Sequence, residues 1–182
     1  MALIAIGGHS GTGKSTSIRT LDPKTTFIIQ IIPKPLPFKG WKTSYPLMDK
    51  KTFEGNRYVL FEREHSEGTK PSDDYFVASN KLQKVLKLIV EKKPEIKTII
   101  MEDMGYLMSY EFLARAREKN YDRFNAIGQN FFNVVKLAIA LSENLDIILT
   151  MHTEVVDDVR MKQRVTTNRG QRVIAQLQVA RA

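Results

Sequence analysis

Eight consecutive residues, Gly8-His9-Ser10-Gly11-Thr12-Gly13-Lys14-Ser15, carry the clearest chemistry in this chain. They fit the pattern G-x-x-x-x-G-K-[ST], the phosphate-binding P-loop or Walker A motif. Its glycines permit a turn so tight that successive backbone N–H groups point inward at a phosphate, and a helix that follows adds its positive end. On this reading Gly8, Ser10, Gly11, Thr12, Gly13, Lys14, Ser15 and Thr16 cradle the phosphates of a nucleotide, Lys14 reaches the β- and γ-phosphates, and Ser15 holds Mg²⁺. A second cluster closes the apolar run Thr98-Ile99-Ile100-Met101, which ends in Glu102-Asp103. An acid at the tip of such a strand, the Walker B position, holds the water shell of Mg²⁺, and a neighbouring acid can polarise the attacking water. Aspartate is usual at the first of these places and Glu102 stands there, so either acid suits the metal. The run Asp146-Ile147-Ile148-Leu149-Thr150-Met151 ends in His152-Thr153-Glu154. Polar residues at the carboxyl end of a parallel strand sit where ligands bind in an open α/β sheet, which makes His152 or Thr150 a candidate γ-phosphate sensor.

These residues need a sheet to position them, and the apolar runs supply it. Ala2 to Ile6, Phe27 to Ile32, Arg57 to Glu62, Thr98 to Asp103 and Asp146 to Met151 read as strands. Between them the spacing predicts a helix after the P-loop that fades near Pro23. It predicts another from about Asp74 to Lys92, with Ala78, Leu82, Val85, Leu86 and Ile89 inward, and one from Tyr106 to about Asn120. A longer helix follows, with Phe124, Ile127, Phe131, Val134, Val135, Ala138 and Leu141 on its core face. Strands alternating with helices predict an α/β fold built on a mostly parallel sheet, with the nucleotide at its carboxyl edge. Mg²⁺ is expected between Ser15 and the Glu102/Asp103 pair, and the attacking water is aimed by one of these acids or by Glu62 or Glu64. No Asn-Lys-x-Asp stretch is present to read guanine, because Asn80-Lys81-Leu82-Gln83 lacks the acid, so ATP is expected rather than GTP. Arg115, Arg117 and Arg123 are either solvated or available as an arginine finger.

Composition sets the outer bounds. At 182 residues, 42% apolar and 26% charged, the chain has the make-up of one globular domain, with no apolar run long enough to cross a membrane. The absence of cysteine excludes disulfides, thiolate metal sites and a cysteine nucleophile, and leaves the cytoplasm as the expected compartment. The net charge is +8, and six of the basic residues, Arg160, Lys162, Arg164, Arg169, Arg172 and Arg181, lie in a terminal stretch without acids. Residues 159–182 thus read as a basic tail on a core of residues 1–158, suited either to nucleic-acid contact or to plain solvation. The stretch Pro33-Lys34-Pro35-Leu36-Pro37-Phe38-Lys39-Gly40-Trp41 cannot be regular structure, since its prolines remove donors. Its lysines and rings, with Lys42 and Tyr45, suit a single-stranded nucleic-acid surface; the alternative is that Phe38 and Trp41 fold back on the core or pack on a neighbouring subunit.

Taken together, the GHSGTGKST loop with the following SIRTLDPKTTFII, the KPLPFKGW loop, the TIIMEDMGYLM strand, the YDRFNAIGQNFFNVV helix and the LTMHTE strand resemble the small phage-encoded RecA-like ATPases of the single-strand annealing and recombination group. The resemblance spans about residues 3 to 158. It implies a RecA-like core, Mg²⁺-dependent ATP hydrolysis, binding of single-stranded DNA, a single-strand-binding protein as partner, and homo-oligomers formed with nucleotide or DNA. By position it carries Walker A onto Gly8, Gly13, Lys14 and Ser15, Walker B onto Glu102 and Asp103, and the nucleotide-sensing strand end onto His152. The glutamate that RecA proteins place after the second strand is absent, since that strand runs into Pro33-Lys34, so the general base comes from elsewhere. Two other classes share the phosphate loop: a small-molecule phosphotransferase such as a nucleoside or nucleotide kinase, and a loader that assembles on ATP and scarcely hydrolyses it.

Overall fold

The computed structural model describes residues 1–61, 78–119 and 121–153. Strands β1 (Leu3–Gly8), β2 (Thr26–Gln30), β3 (Arg57–Val59), β4 (Thr98–Glu102) and β5 (Asp146–His152) fall on the five apolar runs. All pair in parallel, in the order β1-β5-β4-β2-β3. Every residue of β2 is buried, as expected of a strand covered on both faces. The ladder runs past β3, where the Leu60 and Phe61 N–H groups donate to the Gln30 and Ile31 carbonyls at 2.9 and 3.1 Å. Glu62, Glu64, Glu154, the start of the expected 74–92 helix and the basic tail lie outside the described residues.

Helical segments are α1 (Trp41–Ser44), α2 (Ala78–Lys92), α3 (Gly105–Ala114) and α4 (Asp122–Leu141). The pleat divides the core in two. Phe27, Ile29, Ile99, Met101, Ile147 and Leu149 join a large cluster with α2, α3 and α4. There the five expected α2 residues are all buried, as are Ile127, Val134 and Ala138 of α4. Phe124 departs from the expected core face. It is 45% exposed, one turn before Ile127, and stacks on Phe112 with ring centroids 5.9 Å apart.

The opposite face of the sheet is covered differently. Ile28 and Ile100 pack with Ile18, Leu36 and Tyr45, and Leu21, Phe38, Trp41 and Ile148 lean on that cluster. The aromatic loop therefore folds back on the core: Tyr45 is 1% exposed, and the Arg57 guanidinium lies 4.9 Å from the Trp41 ring. The helix expected after the P-loop is a single 3-10 turn, Ser17–Thr20. Its sequence explains the shortening. The Ser17 and Thr20 hydroxyls donate to the Lys14 and Ser17 carbonyls at 2.7 and 2.8 Å, competing with the backbone ladder, and Pro23 stops any continuation. Among the described residues no helix is long and apolar enough to cross a membrane.

Candidate functional site

Register brings the chemistry-bearing residues to one edge. Gly8 lies opposite His152 and Gln30 opposite Glu102, so the loop after β1 and the tips of β2, β4 and β5 meet at the carboxyl end of the sheet. The loop after β1 has the shape its glycines demand. Gly11 and Gly13 take φ of +82° and +89°, a region that side-chain-bearing residues enter only at a cost. A Cβ at Gly8 would meet the Thr12 hydroxyl at 2.9 Å. The Lys14 ammonium turns back into the loop, donating to the Gly8 and His9 carbonyls at 2.7 Å each, and the Thr12 hydroxyl donates to the His9 carbonyl at 2.8 Å. Burial pulls the Lys14 pKa below the ordinary lysine value, with the charge of Asp103 opposing and that of Lys34 reinforcing the shift. The loop lysine and the acid pair thus share one electrostatic neighbourhood.

Glu102 and Asp103 are buried, with 1% and 2% exposure, which is costly for carboxylates unless they are paired. Their partners come from three elements. The Lys34 ammonium lies 3.3 Å from Glu102 Oε1, 2.5 Å from Asp103 Oδ2 and 3.4 Å from Ser15 Oγ. His152 Nε2 stands 3.1 Å from Asp103 Oδ1, with its ring edge-on to Tyr106. Gln30 Nε2 donates to Glu102 Oε2 and to the Lys34 carbonyl, both at 2.9 Å, while Arg57 donates to Gln30 Oε1 at 3.2 Å. Burial works to lower the Lys34 pKa, but the hydrogen bond and charge of Asp103 and the charge of Glu102 outweigh it and hold the ammonium above the ordinary lysine value. Glu102 Oε1 and Asp103 Oδ2 face the Lys34 ammonium and Asp103 Oδ1 faces His152 Nε2, so side chains and not backbone N–H groups meet these buried oxygens.

Asp103 sits at φ +62° where β4 turns into α3, a strained position that Asp tolerates better than most residues. Thr150 holds it there. The Asp103 N–H donates to the Thr150 hydroxyl at 3.0 Å, and the Met104 N–H to the Thr150 carbonyl at 2.9 Å. Buried to 2% exposure and accepting from the Asp103 N–H, the Thr150 hydroxyl is a strut for the acid. Two of the three candidate arginine fingers, Arg115 and Arg123, are engaged elsewhere. Arg115 pairs with Glu111 and Glu118 at 3.3 and 2.9 Å. Arg123 donates to the carbonyls of Arg115, Ala116 and Glu118 and lies over Phe124, tying α3 to α4. Arg117 is exposed.

Of the expected site residues, Ser15, Glu102, Asp103 and His152 are linked directly or through Lys34, whereas the Lys14 ammonium bonds within its own loop. Sequence reasoning placed Lys34 only on a nucleic-acid surface and passed over Gln30 and Arg57. One signal was available: Gln30 is the lone polar residue in the run 27–32, and a polar side chain in a fully buried strand requires partners. Among the described residues no group of three or more His, Cys, Asp or Glu side chains is placed to hold a metal, so a cation here would rest on two carboxylates and a hydroxyl. A shallow hollow of about 500 Å³, lined by residues 37–42, shares no residue with the phosphate loop. No protein-family model matches this chain, and no curated protein matches it significantly.

Proposed function

We propose that this chain binds and hydrolyses ATP as a RecA-like P-loop protein acting on single-stranded DNA in recombination, annealing or repair. One observation carries the reading: a glycine-hinged loop presents Lys14 and Ser15 beside a buried acid pair at the carboxyl edge of a parallel sheet, and Ser15 and both acids converge on one ammonium. Residues 8–16 take the phosphates, and Lys14 exchanges its loop carbonyls for phosphate oxygens.

Ser15, Glu102 and Asp103 fit Mg²⁺, which favours hard oxygen donors, uses one or two carboxylates, and completes its octahedron with phosphate and water. One feature supports the fit: a cation already lies among these three groups. Bound there, the ion supplies charge neutralisation for the transferred phosphoryl group. His152 keeps the Asp103 carboxylate oriented.

The hollow at residues 37–42 carries Lys39 and Lys42, cations of the kind that track a single-stranded DNA backbone, while Phe38 and Trp41 lean on the core behind them. A single-strand-binding protein and further copies of the chain are the partners this function calls for.

ATP turnover with and without single-stranded DNA tests the proposal. DNA should raise turnover, with DNA affinity falling steeply as salt rises, because phosphate contacts release counterions. Turnover that ignores DNA and instead follows an added nucleoside or nucleotide would replace this reading with a phosphotransferase. Assembly on ATP without turnover would replace it with a loader.

A further inference from the structure

We propose that Lys34 is a built-in competitor of the metal: its ammonium and a divalent cation are mutually exclusive ligands of the Ser15–Glu102–Asp103 oxygens, and Lys34 sets how much metal the site requires. The inference rests on the metal-site part of the proposed function and goes beyond it, since no P-loop motif includes this lysine.

The geometry makes the exclusion. An ammonium has three N–H groups, and the Lys34 nitrogen has three oxygen neighbours, Asp103 Oδ2 at 2.5 Å, Glu102 Oε1 at 3.3 Å and Ser15 Oγ at 3.4 Å. These are the same three side chains that suit Mg²⁺. A magnesium ion stands about 2.1 Å from each oxygen it binds, so an ion ligated by them would overlap the ammonium nitrogen. Even an ion held through water would face a like charge in a partly buried setting, where screening is weak. The ammonium must therefore leave before the metal enters.

Other contacts favour the ammonium in the absence of metal. Glu102 and Asp103 are almost fully buried, and among the described residues Lys34 is the lysine or arginine placed against both. Gln30 donates to the Lys34 carbonyl and to Glu102 Oε2, so the lysine backbone is tied to the acid its side chain neutralises. The prolines on either side, Pro33 and Pro35, fix φ and narrow the movements open to that backbone. What remains free to move is the side chain, whose exposure of 29% gives it a path out to solvent or toward the phosphate loop.

The test uses Mn²⁺ alone as the probe, with the free ion followed by electron spin resonance, on the full chain and on Lys34→Met. Removing the competitor should tighten Mn²⁺ binding by about tenfold or more, the scale of charge-assisted contacts that no longer have to be broken. Equal or weaker binding by Lys34→Met would overturn the proposal. Because that variant leaves two buried acids without their cation and can fail to fold, a second measurement uses the unaltered protein. The rate at which an amine-acylating reagent modifies Lys34, read by mass spectrometry, should rise along the Mn²⁺ titration. A rate indifferent to Mn²⁺ would overturn the proposal. If neither protein binds Mn²⁺, there is no metal site for Lys34 to guard and the inference falls. Nucleotide retention through Lys14, measured separately, distinguishes that failure from failure of the P-loop reading itself.

Discussion

Thr150 shows what one hydroxyl does at this site. It accepts from the Asp103 N–H, so it fixes both the buried backbone group and the left-handed turn that aims the Asp103 carboxylate. Thr150→Val keeps the shape and removes the acceptor, leaving a buried N–H unpaired at a cost of about 1–3 kcal/mol. Denaturant unfolding should show that loss, and an unchanged midpoint would mean that Asp103 is held by something else. A different single-residue effect governs acid stability at the α3–α4 connection. The Arg115 hydrogen bond, joined by the charges of Arg115 and Arg123, holds the Glu118 carboxyl below the ordinary glutamate pKa against the opposing effect of burial. A depressed pKa in the folded state means that the pair contributes fully above the unfolded glutamate value and loses its contribution as pH falls through the folded one. Glu118→Gln should therefore lower stability slightly near neutrality, with the difference from the unaltered protein closing in acid. A gap that persists below both pKa values would show that the effect is not electrostatic.

At the scale of elements, the phosphate loop is a backbone device. Gly13 at φ +89° has nothing within 4 Å of where a Cβ would stand, so an alanine there is opposed by conformation and not by crowding. Gly13→Ala should weaken nucleotide binding by about tenfold, following the 1–2 kcal/mol of placing a side-chain-bearing residue in the left-handed region. Equilibrium binding of a labelled nucleotide checks this, with circular dichroism confirming that the fold is kept. Element by element, the strands were legible in the sequence because apolar runs such as Phe27–Ile32 and Asp146–Met151 leave little choice. The same holds for α2, whose Ala78, Leu82, Val85, Leu86 and Ile89 repeat at helical spacing. What covers the second face was not legible. The P-loop motif predicts a helix after it, but Ser17 and Thr20 turn their hydroxyls on nearby carbonyls and the chain makes one 3-10 turn. The Pro-rich loop takes over part of that cover with Leu36, Phe38, Trp41 and Tyr45. Phe38, Trp41 and Tyr45 recur at i, i+3 and i+7, but Pro33, Pro35, Pro37 and Gly40 deny that spacing a helix, so only the folded chain reveals that they share a cluster with Ile28 and Ile100. The candidate site was legible in its ends, Gly8–Ser15 and Glu102–Asp103. It was illegible in its middle, because Lys34 and Gln30 belong to no motif and are joined to the acids only by the parallel pairing of β2 with β4.

For the whole molecule, the sheet order places β5 between the strand that carries the phosphate loop and the strand that carries the acids. Thr150 and His152, both on β5, thereby sit where they touch Asp103, and the loop after β1 stays one strand away from β4. Ser15 and the acids are then linked across that gap by the Lys34 side chain, which comes from the far side of the sheet after β2. The same 33–45 segment carries Lys39 and Lys42, which the proposed function gives to single-stranded DNA, so on that proposal the nucleotide edge and the DNA surface are two ends of one loop. That continuity is the physical reason to expect DNA and ATP to affect one another here. The central claim is nonetheless simpler than the coupling: residues 8–15 hold the phosphates of ATP through Lys14. Binding of ATP with Mg²⁺, measured by equilibrium dialysis on this chain and on Lys14→Ala, tests it most directly. The predicted result is saturable binding by the unaltered chain and a loss of about thirtyfold or more in the variant, the cost of charge-assisted contacts to phosphate. Equal retention of ATP by the two proteins would contradict the account.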